Sequence, residues 1–291
     1  MKEQMFKWIV AKSGYHWLKA DKETVVTQDE MSHYDRHPFK GGDLPNWYLE
    51  FVMRPTDTYE PFKNPAIFRT FAEVPLTPSG MLAFANDYGN LGDQVEKCDD
   101  SFEPPSFELP YVDTQAEVDE WEAEILWINR RYDSISSWFL GIKEMRKCVK
   151  ICDQFLLGKA DEEAVDQLFS TINKKLTRER CRVAFARDVR NPSAYSLQTI
   201  PTNLLAALWI QLGRAVTENK RFHSCSTCKR WFEVSPPLNR TSRDYCSNAC
   251  RSRAYRSRIE EARRMKQIGK SVREIAELLE STEKTVEGWL E

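Results

Sequence analysis

Between Thr114 and Gly158 apolar residues recur in steps of three and four. Val118, Trp121, Ile125, Ile128, Tyr132 and Ile135 fall on one helical face, and Gly158 is a fitting stop. The stretch from Asp161 to Phe185 opens on acids and keeps that period, which predicts a second helix. Residues 199–222, TIPTNLLAALWIQLGRAVTENKRF, are apolar nearly all round their middle, the mark of a helix buried on every side. Upstream the pattern is shorter and mixed. FKWIVA (6–11), TVVT (24–27) and WYLEFVM (47–53) predict strands, separated by the turn-rich HPFKGGDLP and RPTDTYEPFKNP. Thr77 and Pro78 read as N-cap and first residue of a helix that runs through Met81 to Tyr88 and stops at Gly89. At the C-terminus, Val272, Ile275, Ala276 and Leu279 share one helical face. SerThr breaks the run, Thr282 serves as a new N-cap, and Val286, Trp289 and Leu290 form a second face.

These patterns predict a mainly α chain with a mixed α+β N-terminal part. The expected order is a mixed region over 1–97, a linker or loop with three prolines over 98–113, and a helical domain over 114–222. A four-cysteine finger with a basic helix follows over 223–268, then a helical hairpin over 269–291.

With 291 residues, 41% of them hydrophobic, the chain is long enough for a substantial core. No run of about 18 apolar residues predicts a membrane span, and the first residues are too charged for a secretory signal. A cytoplasmic protein is expected, where structural disulfides are rare. The eight cysteines therefore need another explanation. The net charge of −2 conceals an asymmetry: residues 220–270 hold 14 Lys/Arg against 4 Asp/Glu, and residues 271–291 hold 2 against 6. One strongly basic segment points to a polyanion partner, or to an acidic protein surface.

That segment contains Cys225, Cys228, Cys246 and Cys250, spaced C-x2-C-x17-C-x3-C. Two short-spaced thiolate pairs suit one tetrahedral Zn²⁺. Four sulfur ligands leave no open position, so the ion is expected to be structural rather than catalytic. KRWFEV after the first pair alternates like a strand, and Ser247 can cap a helix whose first turn holds the last two ligands. A knuckle, a hairpin and such a helix make a treble-clef-like zinc finger. On a helical wheel Ala254, Tyr255, Ile259, Ala262 and Met265 gather on one side. Arg253, Arg256, Arg263 and Arg264 gather on the other, while Arg251 and Arg258 lie within the apolar arc. Guanidinium forks match phosphate oxygens, so these four arginines, with Lys229 and Arg230 of the knuckle, are candidate nucleic-acid contacts.

The tail SVREIAELLESTEKTVEGWLE resembles the helix-turn-helix of recombinases and transcription factors, with Ala276 as the small residue at the helix crossing. Glu280 stands where that family has a turn glycine. The second helix exposes Glu283, Lys284, Thr285, Glu287 and Gly288, of which Lys284 and Thr285 are the candidate contacts. From Cys225 onward the chain also resembles bacterial proteins with a CGNR-type zinc finger, regarded as transcription regulators. YCSNACRSRAYRSR stands for their ending, with CRSR in place of the name-giving residues and three spacers in the last pair rather than four. That resemblance implies a DNA-binding regulator with a variable N-terminal region. The segment 59–92, YEPFKNPAIFRTFAEVPLTPSGMLAFANDYGNLG, also resembles one found upstream of such fingers.

Enzymatic signals are sparse. HYDRH (33–37) is the sole histidine cluster, and Pro38 argues against a helix that holds both histidines on one face. No P-loop, dinucleotide turn, G-x-S-x-G or H-E-x-x-H is present. Cys148 and Cys152, one helical turn apart, read as core thiols. The sequence thus points to duplex DNA as partner, with a sensing or dimerising N-terminal body. A protein adaptor, or an RNA-binding factor using Trp231, Tyr245 and Tyr255, are the alternatives.

Overall fold

The computed structural model describes residues 6–21, 23–36, 44–51, 56–92, 133–178, 181–188, 191–235 and 242–291. The chain is mostly helical with some sheet, and it divides into two compact units, Met1–Lys220 and Arg221–Glu291. No helix among the described residues is long and apolar enough to cross a membrane.

The first unit opens with short antiparallel ribbons. β1 (Trp8–Ala11) pairs with β4 (Thr56–Tyr59), and β2 (Tyr15–Leu18) pairs with β3 (Tyr48–Phe51), which also takes β5 (Asp133–Ser134). The expected strand over 24–27 is reduced to one bridge from Val25 to Leu18. α1 (Gln28–Arg36) lies between β2 and β3, and α2 (Ile67–Glu73) follows β4. α1 carries His33 and ends before His37 and Pro38; His37 lies outside the described residues.

α3 (Pro78–Tyr88) forms as its caps dictate. The Thr77 side chain accepts from the Gly80 N–H at 3.2 Å, and Gly89 ends the helix at φ 91°. The next residues are pinned from several sides. Asn90 O accepts the Trp8 indole N–H, and the buried Asp133 carboxylate accepts the Leu91 N–H at 2.6 Å.

Of the helix anticipated from Thr114 to Gly158, the described residues show the part from Ile135 onward, set off by a short strand. Asp133 and Ser134 join the sheet, Ser134 caps α4 (Ile135–Leu156), and Gly158 at φ 65° ends the run. The 114–132 part of that expectation, and the 98–113 linker, lie outside the described residues. α5 (Glu162–Arg178) is amphipathic, but its period does not continue to Phe185. Residues Arg182–Asp188 (β6) and Asn191–Ile200 (β7) form an antiparallel hairpin instead. Phe185 pairs across to Leu197, so the apolar residues that extended the helical pattern are strand residues set by cross-strand partners.

α6 (Leu204–Thr217) is the buried helix that the sequence suggested. Asn203 caps it, and every residue from Leu204 to Leu212 is buried. Its one buried amide is fully used. Gln211 Nε2 donates to the carbonyls of Pro61 and Asn64, and its Oε1 accepts from Phe68 N–H. That is how a polar side chain sits in an apolar helix without cost from unmet hydrogen bonds. Trp8, Trp17, Trp138, Trp209, Phe68 and Phe71 are all fully buried in this unit.

In the second unit β8 (Phe222–Ser224) pairs with β9 (Trp231–Glu233), and three helices follow: α7 (Asn248–Gln267), α8 (Val272–Leu278) and α9 (Glu283–Leu290). α7 is shared by two small cores. Its first turn carries Cys250, which packs with Cys225, Phe232 and Val234. Its far half buries Ala262 against Ile275, Ala276, Val286 and Trp289 of the tail helices. Ser271 and Glu274 close a reciprocal capping box on α8, and Thr282 caps α9.

Candidate metal centre

The turn of the β8–β9 hairpin is itself the first half of the site. Cys225 N–H donates to Arg230 O, and Lys229 N–H donates to Cys225 O, both at 2.9 Å. This tight reversal places Lys229 at φ 60°, a left-handed conformation that a side chain makes unfavourable. The hairpin therefore straddles the first cysteine pair, where the sequence suggested a hairpin after it.

The second half is the start of α7. Cys246 precedes the N-cap Ser247, whose Oγ accepts from the Cys250 N–H at 3.2 Å. Two bonds hold the halves in register. Ser226 N–H donates to Asp244 O at 2.9 Å, and Thr227 Oγ1 donates to Cys250 O at 3.1 Å.

The four sulfurs all lie within 4.8 Å of one another, with Cys228–Cys246 at 3.6 Å and Cys246–Cys250 at 3.5 Å. A tetrahedron of thiolates about 2.3 Å from one ion has edges of about 3.8 Å. A disulfide would need about 2.05 Å, and all four cysteines are free. The four are positioned to hold a metal ion, and among the described residues they are the one such group. Exposed His223 on β8 is not part of it.

The surroundings pull two of the thiols in opposite directions. Burial raises Cys225, but backbone N–H groups of Cys228, Cys246 and Thr227 outweigh it and bring the thiol down to about 6. Cys246 is pushed up to about 12 by burial and by the neighbouring sulfurs of Cys250, Cys228 and Cys225. Crowded thiols without an ion cannot all ionise, since like charges would meet at van der Waals distance. A divalent cation removes that conflict.

Arg243 completes the site, and nothing in the sequence spacing singled it out. It donates from Nε to Tyr245 O at 2.6 Å and from Nη2 to Cys246 O, and its guanidinium lies 5.3 Å from the Phe232 ring centre. Carbonyls next to a ligand are thereby tied to a cation that stacks on the small core.

The candidate polyanion contacts divide by what their groups do. Lys229, Arg230, Arg253 and Arg256 are exposed. Arg253 makes no hydrogen bond or ion pair among the described residues, and Arg256 only returns its Nε to Ser252 O at 3.4 Å. Arg263 Nε instead donates to Trp289 O at 3.2 Å, one of the carbonyls that a helix end leaves open. Arg264 grips both oxygens of Glu261, at 2.9 and 2.6 Å, and holds that carboxyl below its usual range. Arg258 reaches Leu279 O, so of the two arginines placed in the apolar arc this one ties α7 to the tail. Lys284 is exposed on α9, whereas the Thr285 hydroxyl is 2.7 Å from that of Thr282. No protein-family model matches the chain, and no curated protein matches it.

Proposed function

We propose that Arg221–Glu291 is a zinc-dependent nucleic-acid-binding module of treble-clef-like type, and that its target is duplex DNA, as in a transcriptional regulator. In this reading Met1–Lys220 supplies sensing or dimerisation. Zinc is the ion that four thiolates around one tetrahedral position serve best. It contributes folding energy and presents α7.

One observation carries the reading: the first half of α7 is basic, exposed and free of acidic partners. Arg251, Arg253, Arg256 and Arg258 form no ion pair among the described residues. An ordinary solvated helix face alternates charge and pairs it. The helix-turn-helix-like packing of α8 and α9 on α7 adds weight. The test is duplex binding by the full chain at 50 and 200 mM salt, with zinc quantified in the same preparation. Affinity should fall steeply with salt; affinity independent of salt, or a chain without bound zinc, overturns the proposal.

One observation favours the adaptor alternative. The exposed face of α9 carries Glu283 and Glu287, which suit a basic protein segment better than phosphate. Recovery of a protein partner that resists nuclease, together with no salt-sensitive DNA binding, would decide for it. Two of the three rings that an RNA-binding reading would use have internal work: Tyr245 packs on the cysteine cluster, and Tyr255 OH accepts the Trp289 indole N–H.

A further inference from the structure

We infer that the metal end of α7 alone grips the nucleic acid, through Lys229, Arg253 and Arg256, and that α9 stays out of the groove, so the module recognises duplex backbone rather than base sequence. This rests on the DNA-binding reading above and changes which helix does the work.

The cations of α7 and the knuckle divide by whether a partner already holds them. Along α7, Arg253 and Arg256 lie one turn apart on the outward side. Neighbours at that spacing are about 5–6 Å apart at Cβ, so both can face one phosphate strand. The metal centre brings a third cation to the same end. Thr227 Oγ1 on Cys250 O seats the knuckle against the first turn of α7, and the reversal at Lys229 turns its exposed side chain out of the knuckle. Farther along α7, Arg263 and Arg264 are engaged, and Lys266 lies in the last turn, about 15 Å beyond Arg256. Arg263 caps α9, and Arg264 is neutralised by Glu261. A phosphate would have to displace a partner already in place at each.

α9 occupies the position of a reading helix and is poorly equipped for it. Its buried side is Val286 and Trp289. Its first turn already holds the acid Glu283, which satisfies the positive end of the helix. Glu287 lies one turn beyond, Gly288 offers no side chain, and the Thr285 hydroxyl is turned to Thr282. Lys284 is the single cation. A helix laid in the major groove with acids on both sides of its one lysine meets phosphates on either wall.

The experiment uses the full, zinc-loaded chain with two unrelated duplexes of equal length and base composition, titrated between 50 and 200 mM salt. Three cations give a salt slope near −2.7, or about a 40-fold affinity loss over that range. The two duplexes should bind within about threefold of each other, far below the discrimination of a base-reading protein. Arg253→Glu with Arg256→Glu should remove most of the slope. Arg263→Gln, Arg264→Glu and the pair Lys284→Ala with Thr285→Ala should leave it in place. Zinc content and circular dichroism of each variant confirm the fold, and the milder Arg253→Gln with Arg256→Gln should lower the slope by about two if the reversal misfolds. Strong preference for one duplex that disappears in Lys284→Ala overturns the inference while the DNA-binding reading stands. No salt-sensitive duplex binding by the unaltered chain overturns both.

Discussion

Cys148 and Cys152 in α4 stand four residues apart, and so do Cys246 and Cys250 at the start of α7. In α4 both thiols are in mid-helix, where every nearby N–H is already used within the helix. Burial pushes each up to about 11, so they remain protonated and inert. At α7 the first of the pair precedes the N-cap and the second lies in the first turn. There burial and the crowding sulfurs push Cys246 up to about 12, while backbone N–H groups bring Cys225, across the site, down to about 6. A second pair across the hairpin then supplies the missing edge. The contrast shows that the spacing is the same and the supply of N–H donors and sulfur neighbours differs.

The same contrast extends to the two units. Met1–Lys220 is held by large buried rings, while Arg221–Glu291 buries, among the described residues, small clusters at either end of α7. A unit of that size is hard to stabilise by burial alone. The largest expected effect follows. Chelation, or Cys228→Ser with Cys246→Ser, should unfold the metal end of the second unit and leave the first intact. Structural zinc contributes about 10–16 kcal/mol in small fingers, comparable to the whole stability of a domain. Hydrogen exchange would read this as lost protection in β8, β9 and early α7 with none lost in α4 and α6. Unchanged protection at the metal end would erase the distinction between the units.

Three smaller effects test the cores. Trp138→Ala should cost the first unit about 3–5 kcal/mol, because the ring is fully buried between Phe71 and Phe84. Trp289→Ala should loosen only the tail bundle. Asp133→Ala leaves the Leu91 N–H buried without its acceptor and should cost the first unit about 1.5–3 kcal/mol. Denaturant melts followed unit by unit separate these outcomes.

The buried thiols give a pH test of similar size. Cys148 and Cys152 are raised in the folded state. Their contribution is therefore complete below the unfolded thiol value, near 9, and is lost as pH rises through about 11. The loss should be on the order of 2 kcal/mol per thiol, read in unit 1 from alkaline melts. Iodoacetamide at pH 8 should leave both unmodified while labelling Cys225 after chelation.

How far these features were legible follows from how local their causes are. Caps are local, so Thr77, Gly89, Gly158 and Thr282 stood in the sequence as they stand in the fold. The four metal ligands were readable because pairs of sulfurs at short spacing have few other uses. The β6–β7 hairpin was not, since its partner strand, rather than its own period, decides it. Nor was the break at Asp133: Ile135 keeps step with Tyr132, yet Asp133 is recruited by backbone N–H groups some forty residues away. Arginine roles were the least legible. A wheel places Arg263 and Arg264 outside, but only the tail's carbonyl and Glu261 show that they are already engaged.

The smallest prediction comes from the turn between α8 and α9. Glu280 sits at φ 48°, a left-handed position that favours glycine. A side chain there costs about 1–2 kcal/mol, and glycine gives back about 0.5–1 through its freer unfolded chain. Glu280→Gly should therefore stabilise the tail bundle by about 0.5–1 kcal/mol and leave unit 1 unchanged. It also removes one acid from an acidic tail, which could mimic the same gain through charge. Glu280→Gln separates the two: it removes the charge and keeps the Cβ. Slower exchange of α8 and α9 amides in the glycine variant, but not in the glutamine one, assigns the gain to backbone strain. Equal gains in both variants would make repulsion among Glu277, Glu280 and Glu283 the cause, and the turn would no longer count as strained.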